Sequence, residues 1–270
     1  MSKIVSVHSF RGGTGKSNTT ANLATMVACL GKRVGIIDTD IQSPGIHVLF
    51  GLNEEKIQRT LNDYLWGRCA IEDTAIKVNP TEVSKAKGNL FLIPSSIKAG
   101  EIARILREGY NVRLLNDGFR NLIRALNLDY LFIDTHPGIN EETLLSITIS
   151  NVLVIILRPD RQDFQGTAVT VELARKLKVP QMLLVVNRVL QSFDFDKVRQ
   201  QVETAYHTPV AGILPNCDEM MQLQSSDLFC LRYPNHPLTA ELRKIVNQLA
   251  QEEKKPQDAS IFSKFRWPGR

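Results

Sequence analysis

The stretch from residue 4 to residue 23, IVSVHSFRGGTGKSNTTANL, constrains this chain more than any other. A short apolar run leads into a glycine-rich turn, and Gly15, Lys16 and Ser17 open an amphipathic, helix-like pattern. Glycines let the backbone fold tightly enough for several N–H groups to face one anion. The start of the helix adds a favourable dipole. In that setting Lys16 would reach the β and γ phosphates of a nucleotide, and the Ser17 hydroxyl would bind Mg²⁺. The bland alternative is a glycine turn before an ordinary helix, but strand, loop, GKS and helix in that order are what a phosphate site requires. One detail is irregular. The standard spacing G-x-x-x-x-G-K-[ST] asks for glycine at position 10, and the chain has Phe10 there, followed by Arg11, Gly12 and Gly13.

Further apolar runs at residues 34–37, 90–93, 130–133, 152–157, 182–186 and 210–214 are short and lack polar alternation. They suit strands buried on both faces of a parallel sheet. The intervals hold crossover helices. One is read over residues 19–30, with Leu23, Val27 and Leu30 on one face and Gly31 as the stop. Another is read over 238–251. The expected fold class is α/β: a doubly wound, mostly parallel sheet with helices on both faces, whose ligands bind at the carboxyl ends of the strands. No internal repeat is visible. We read residues 1–255 as one domain and 256–270 as a linker with a short basic-aromatic tail.

At 270 residues and 43% hydrophobic content the chain can bury a full core. No apolar run approaches the ~18 residues of a membrane span, and MSKIVSVHSF lacks a signal-peptide layout. The four cysteines, Cys29, Cys69, Cys217 and Cys230, form no C-x-x-C pair, so reduced thiols are expected rather than a zinc site or a disulfide framework. From Lys254 onward five cations face only Asp258, and the tail therefore carries most of the net charge of +5.

Acidic residues follow two of the apolar runs. GIIDTD places Asp38 at one strand end and Asp40 two residues on; YLFIDTHPG places Asp134 at another. A carboxylate at the position of Asp134 would support Mg²⁺ and its waters. Aspartates there also serve as turn formers or helix caps, but three of them alongside a GKS loop favour metal and water chemistry.

RGGTGKS resembles the deviant Walker A loop of the MinD/ParA family, K-G-G-x-G-K-[ST], in which the residue before the first lysine varies. The likeness extends through DTDIQSPGIHVLFGL (38–52) to switch I and through FIDTHPGINEETLLS (132–146) to switch II. LLVVNR (183–188) and GILPN (212–216) are similar to the segments that hold adenine. The resemblance, closer to MinD-like members, implies an ATP hydrolase with ATP and Mg²⁺ as cofactors, slow and stimulated by an activating partner of unknown identity. It implies that Gly12, Gly13, Thr14, Gly15, Lys16, Ser17 and Asn18 cradle the nucleotide, and that Asn187 reads the adenine edge beside Pro215. Asp38 and Asp134 would shape the metal environment with Ser17, and Asp40 would position the attacking water. The family's signature lysine reaches the partner's phosphates across an ATP-dependent homodimer. Here it is Arg11, which keeps the charge and adds a planar donor fork. Its alternative is a loop arginine facing solvent. His136 stands where a small residue or proline is common, and reads as a structural histidine.

Family members use ATP-driven dimerisation to bind a surface. It is membrane in MinD-like members and nonspecific DNA in ParA-like ones. In a helical tail, Ile261, Phe262 and Phe265 share a face, Lys264 and Arg266 lie outside it, and Trp267 sits near the edge. The expectation is a cytoplasmic protein associating reversibly with the inner face of the plasma membrane, two weak anchors per dimer acting together. The tail's alternative is docking on protein or disorder. The main rival is a partition ATPase on nonspecific DNA, favoured by a pI of about 9.0 but not by where the charge sits. An ATP-binding scaffold with little hydrolysis is a second rival, because of Arg11. An iron–sulfur carrier needs paired cysteines, and a related tyrosine kinase a tyrosine-rich tail; Tyr233 is the last tyrosine.

Overall fold

All seven apolar runs become strands. The computed structural model describes residues 2–250. The chain runs β1 (Lys3–His8), α1 (Lys16–Ala28), β2 (Arg33–Asp38), α2 (Leu61–Leu65), β3 (Ile76–Lys77), α3 (Thr81–Lys85), β4 (Asn89–Ile93), α4 (Ala99–Glu108) and α5 (Arg113–Ala125). It continues through β5 (Tyr130–Asp134), α6 (Glu141–Ile149), β6 (Val152–Leu157), α7 (Arg161–Lys176), β7 (Gln181–Val189), α8 (Phe195–Tyr206), β8 (Val210–Pro215), α9 (Asp218–Gln222), α10 (Phe229–Arg232) and α11 (Pro237–Ala250). The strands form one sheet in the order β3-β4-β2-β5-β1-β6-β7-β8. Every pairing is parallel except that of β3 with β4. β3 was not foreseen. A two-residue edge strand has no pattern of its own and exists only through pairing with Leu92 and Phe91.

The lack of alternation in the strands has the expected cause. Along β6, Val152, Val154 and Ile156 join the core beneath α1 and α11, while Leu153, Ile155 and Leu157 join the one formed with Val171 and Val202. In β5, Phe132 faces the first of these cores, and Leu131 and Ile133 face Phe119 and Leu145 on the other side. Each such aliphatic side chain contributes about 1.5–3 kcal/mol by leaving water. The helix read over residues 19–30 begins earlier, at Lys16, and ends at Ala28. Leu23 and Val27 are buried, but Leu30 is 57% exposed: it lies beyond the helix, in the turn that Gly31 closes with a left-handed φ of 81°. The last helix is described from Pro237 to Ala250. The boundary near Pro256 and the tail residues Ile261, Phe262, Lys264, Phe265, Arg266 and Trp267 lie outside the described residues.

β1 is the centre of this sheet. The chain moves from it towards β4, returns through β5 to its flank, then crosses to β6 on the opposite side. Strand order reverses there, so the carboxyl end of β1 opens a crevice of the kind in which such sheets bind ligands.

Candidate functional site

The loop after β1 occupies that crevice. Gly13 and Gly15 hold left-handed φ values of 74° and 91°, which other residues adopt only with strain. A side chain at Gly15 would also collide with Asn187, whose Nδ2 lies 2.4 Å from where a Cβ would stand. Helices α6, α7 and α8 start on side-chain caps from Asn140, Asp160 and Asp194. Helix α1 starts on Gly15 with no side-chain cap, so its first N–H groups remain available to an anion. Buried Thr14 Oγ1 has no hydrogen-bond partner among the described residues. Ser17, the second residue of α1, is half-buried on the same turn.

Beneath the loop lies a buried charge cluster. Lys16 is only 6% exposed, and its Nζ sits 2.9 Å from Asp134 Oδ1. Thr20 Oγ1 also approaches that oxygen, at 3.2 Å. The second oxygen, Asp134 Oδ2, is buried without a partner among the described residues. Asp38 ends the neighbouring strand in register with Asp134; its carboxylate accepts N–H bonds from Asp40 (3.0 Å) and Gly45 (3.4 Å). Burial first, and then the charge of Asp134, pushes the Asp38 carboxyl well above the usual range. Two carboxylates share one ammonium, and an unpaired oxygen faces inward. Such a set suits a small, hard, oxygen-seeking dication, so the residues fit Mg²⁺.

Asp40 accepts the Ser43 N–H at 3.2 Å on Oδ1, and the same oxygen lies 2.7 Å from His136 Nδ1. This contact was not foreseen. His8, at the end of β1, is fully buried. Its Nδ1 meets Thr135 Oγ1 at 2.8 Å, and that hydroxyl donates to the Val7 carbonyl. The ring is therefore the neutral Nδ1–H form. Burial, then Lys16 and His136, lower its pKa to about 3.

Beside the start of α1 is a cavity of about 350 Å³, lined among others by Asn18, Asn187, Pro215, Met220 and Leu242. It is large enough for a nucleobase, and it brings together Asn18, Asn187 and Pro215 from three distant segments. Asn187 also acts on the loop itself. Its Nδ2 donates to the Thr14 carbonyl at 2.7 Å, and its Oδ1 accepts the Arg188 N–H at 2.9 Å.

Arg11 does not stand free in solvent. Its side chain is 41% exposed and folds onto the start of α7, 3.8 Å from Asp163 and 4.0 Å from Asp160, with a hydrogen bond to Gln162 Oε1. Phe10 beside it packs on Gly166 of the same helix, where a Cβ would come within 2.1 Å of the ring. These partners were invisible to sequence reading, because nothing in RPDRQDFQG signals a site.

A family description, ParA: NUBPL iron-transfer P-loop NTPase, matches residues 1–250. The chain belongs to the ParA family of P-loop NTPases. An uncharacterised ATP-binding protein of Methanocaldococcus jannaschii is 27% identical to this NTPase, over 98% of this chain and 96% of its own. The septum site-determining protein MinD of Bacillus subtilis is 24% identical, over 93% of this chain and 90% of its own. Among solved structures, the septum site-determining protein MinD of Pyrococcus horikoshii, complexed with Mg-ADP, superposes with a TM-score of 0.77. It covers 93% of this chain and 97% of its own, at 18% identity, a likeness that bears on the fold. Both MinD and ParA-like ATPases are thus among the relatives of this NTPase, as the loop and switch segments implied.

One further cluster is set apart by its chemistry. Cys217, Glu219 and His236 bring their ligand atoms within 4.8 Å of one another. The Leu238 N–H, however, donates to His236 Nδ1 at 3.0 Å, which puts the ring proton on Nε2, facing Glu219 Oε2 at 3.7 Å. The nitrogen that faces Glu219 therefore has no lone pair to offer a metal.

Proposed function

We propose that this NTPase is a Mg-dependent ATPase that dimerises on ATP, and that the dimer holds reversibly to a membrane surface to position a cellular component, as in septum placement or organelle and cargo positioning. The observation that carries the ATPase reading is the partnerless Asp134 Oδ2 beside Lys16 and Asp38, under an uncapped helix start. In this reading the N–H groups from Gly12 to Ser17 hold the phosphates, with Lys16 swinging from Asp134 to the β and γ oxygens. Ser17, Asp38 and Asp134 would hold Mg²⁺, directly or through water, and the bound ion would supply charge neutralisation for phosphoryl transfer. The base lies in the cavity with Asn18, Asn187 and Pro215, and Asp40 orients the attacking water. Arg11 leaves α7 and enters the partner's site, where a cation stabilises the transition state. An activating partner protein sets the pace of hydrolysis, which returns the monomer to the cytoplasm.

The membrane part of the reading is supported by the SIFSKFRWPGR tail and by the likeness to the septum site-determining protein of B. subtilis. Two anchors joined in a dimer bind far better than one, which couples attachment to ATP. Co-sedimentation with anionic liposomes tests it, using the full chain and a chain ending at Ala259, each with and without ATP. We expect ATP-dependent sedimentation of the full chain alone. Equal sedimentation of both sinks the membrane reading, and an ATP-dependent shift of nonspecific DNA would replace it.

A further inference from the structure

We infer that His136 is a positioning residue whose Nδ1–H fixes the Asp40 carboxylate for hydrolysis. The inference rests on the reading of Asp40 as the residue that orients the attacking water, and it gives this chain's histidine a role within that site.

The geometry is one-sided. Both donors that reach the Asp40 side chain, the Ser43 N–H at 3.2 Å and His136 Nδ1 at 2.7 Å, meet the same oxygen, Oδ1. No hydrogen bond reaches Oδ2 among the described residues. The terminal torsion of an aspartate is soft, so a carboxylate held by one backbone donor still rocks. A second donor on the same oxygen removes that freedom and leaves Oδ2 as a fixed acceptor for water. A carboxylate accepts only, so the proton of the pair lies on Nδ1.

The imidazole is itself held. Pro137 follows His136 and restricts its backbone to extended conformations. The His136 carbonyl accepts a long bond from Thr143 Oγ1 at 3.4 Å, and the Gly138 N–H donates to the Ser9 carbonyl at 3.2 Å. The turn carrying His136 is thus tied to α6 on one side and to the phosphate loop on the other. The Asp40 N–H, in turn, donates to Asp38 Oδ1. The contact spans 96 residues and joins the segment after β2 to the segment after β5, so both must be in place before Oδ2 is aimed.

The test compares wild type with His136→Ala and with His136→Asn, whose Nδ2 can stand in for Nδ1. Single-turnover hydrolysis of bound ATP gives the chemical rate, fluorescent-nucleotide titration gives affinity, and ¹⁵N NMR of the histidine side chains in wild type gives the tautomer. We expect His136→Ala to slow hydrolysis by about tenfold to a hundredfold with nucleotide affinity unchanged, His136→Asn to recover most of the rate, and His136 to be protonated at Nδ1. Wild-type hydrolysis together with an equally fast His136→Ala overturns the role alone, as does a His136→Asn variant no better than His136→Ala. An Nε2–H tautomer overturns it without reference to turnover, and decides the matter should His136→Ala fail to fold. A wild type that binds ATP and never hydrolyses it overturns the ATPase reading, and this role with it.

Discussion

Asp38 and Asp134 end adjacent parallel strands in register, and the single buried ammonium of Lys16 lies 2.9 Å from one oxygen of Asp134. Holding two carboxylates this way works against the folded state, since Asp38 resists ionisation through burial and the charge of Asp134. Carboxylates under such strain are what a cation-receiving site presents.

Asp38→Asn removes one of those charges while leaving an acceptor for the Asp40 N–H. We expect unfolding of the nucleotide-free chain in urea at pH 8 to require about 1–2 kcal/mol more, and Mg²⁺-dependent nucleotide affinity to fall. Greater stability with undiminished affinity would remove Asp38 from the metal environment.

Lys16→Ala and Asp40→Ala should separate binding from turnover. The first leaves Asp134 without its buried partner; it should lose ATP binding in calorimetry and about 3–5 kcal/mol of stability. The second should bind ATP, stop hydrolysing, and accumulate as a dimer in light scattering. Intact hydrolysis by Asp40→Ala would show that another group orients the water.

Arg11 offers a contrast between stability and activity. Arg11 and Asp160 are about half-exposed, and the buried Asp163 keeps its ion pair with Arg158 when Arg11 is removed, so Arg11→Ala should cost less than about 1 kcal/mol in thermal unfolding. Hydrolysis at concentrations where the dimer forms should fall by about a thousandfold or more if the guanidinium enters the partner's site. A fall of only a few fold assigns Arg11 to anchoring the loop on α7.

Much of this arrangement was legible in the chain and part was not. Strands buried on both faces must be continuous apolar runs, and the phosphate loop must carry glycines where φ is positive; the order of the residues shows both. β3 is two residues held by its neighbour, and Leu30 obeys helical spacing just beyond the last turn. The contacts of His136 with Asp40 and of Arg11 with Asp160, Gln162 and Asp163 join segments 96 to about 150 residues apart. No local pattern encodes such a meeting. They are properties of the sheet order, which brings β2, β5 and β6 around β1.

The seat of Phe10 on Gly166 can be measured by a double-mutant cycle. In the wild type, Gly166→Ala forces a methyl into Cγ and Cδ1 of the ring and should cost about 1–3 kcal/mol. In a Phe10→Gly background the same change should be neutral or stabilising by up to ~1 kcal/mol, because alanine favours the helix. Additive energies would refute the contact.

His8 makes stability depend on acid. The buried ring has its folded pKa lowered to about 3 from 6.5, so the unfolded chain binds the proton first. Its contribution is complete above pH 6.5 and declines as the pH falls towards 3, by up to ~1.4 kcal/mol per unit. Urea unfolding from pH 7.5 to 4.5 should show that slope in the wild type and a shallower one in His8→Asn.

The bond from Asn187 to Thr14 also orders events in time. It links residues 173 positions apart, so a ribosome completes the glycine loop long before it delivers the strand that braces it. At about 5–20 residues per second, the delay is roughly ten to thirty-five seconds. During that interval the newborn loop lacks both its brace and the far wall of the cavity at Pro215. The braced form of the loop therefore belongs to a chain most of which has already been made.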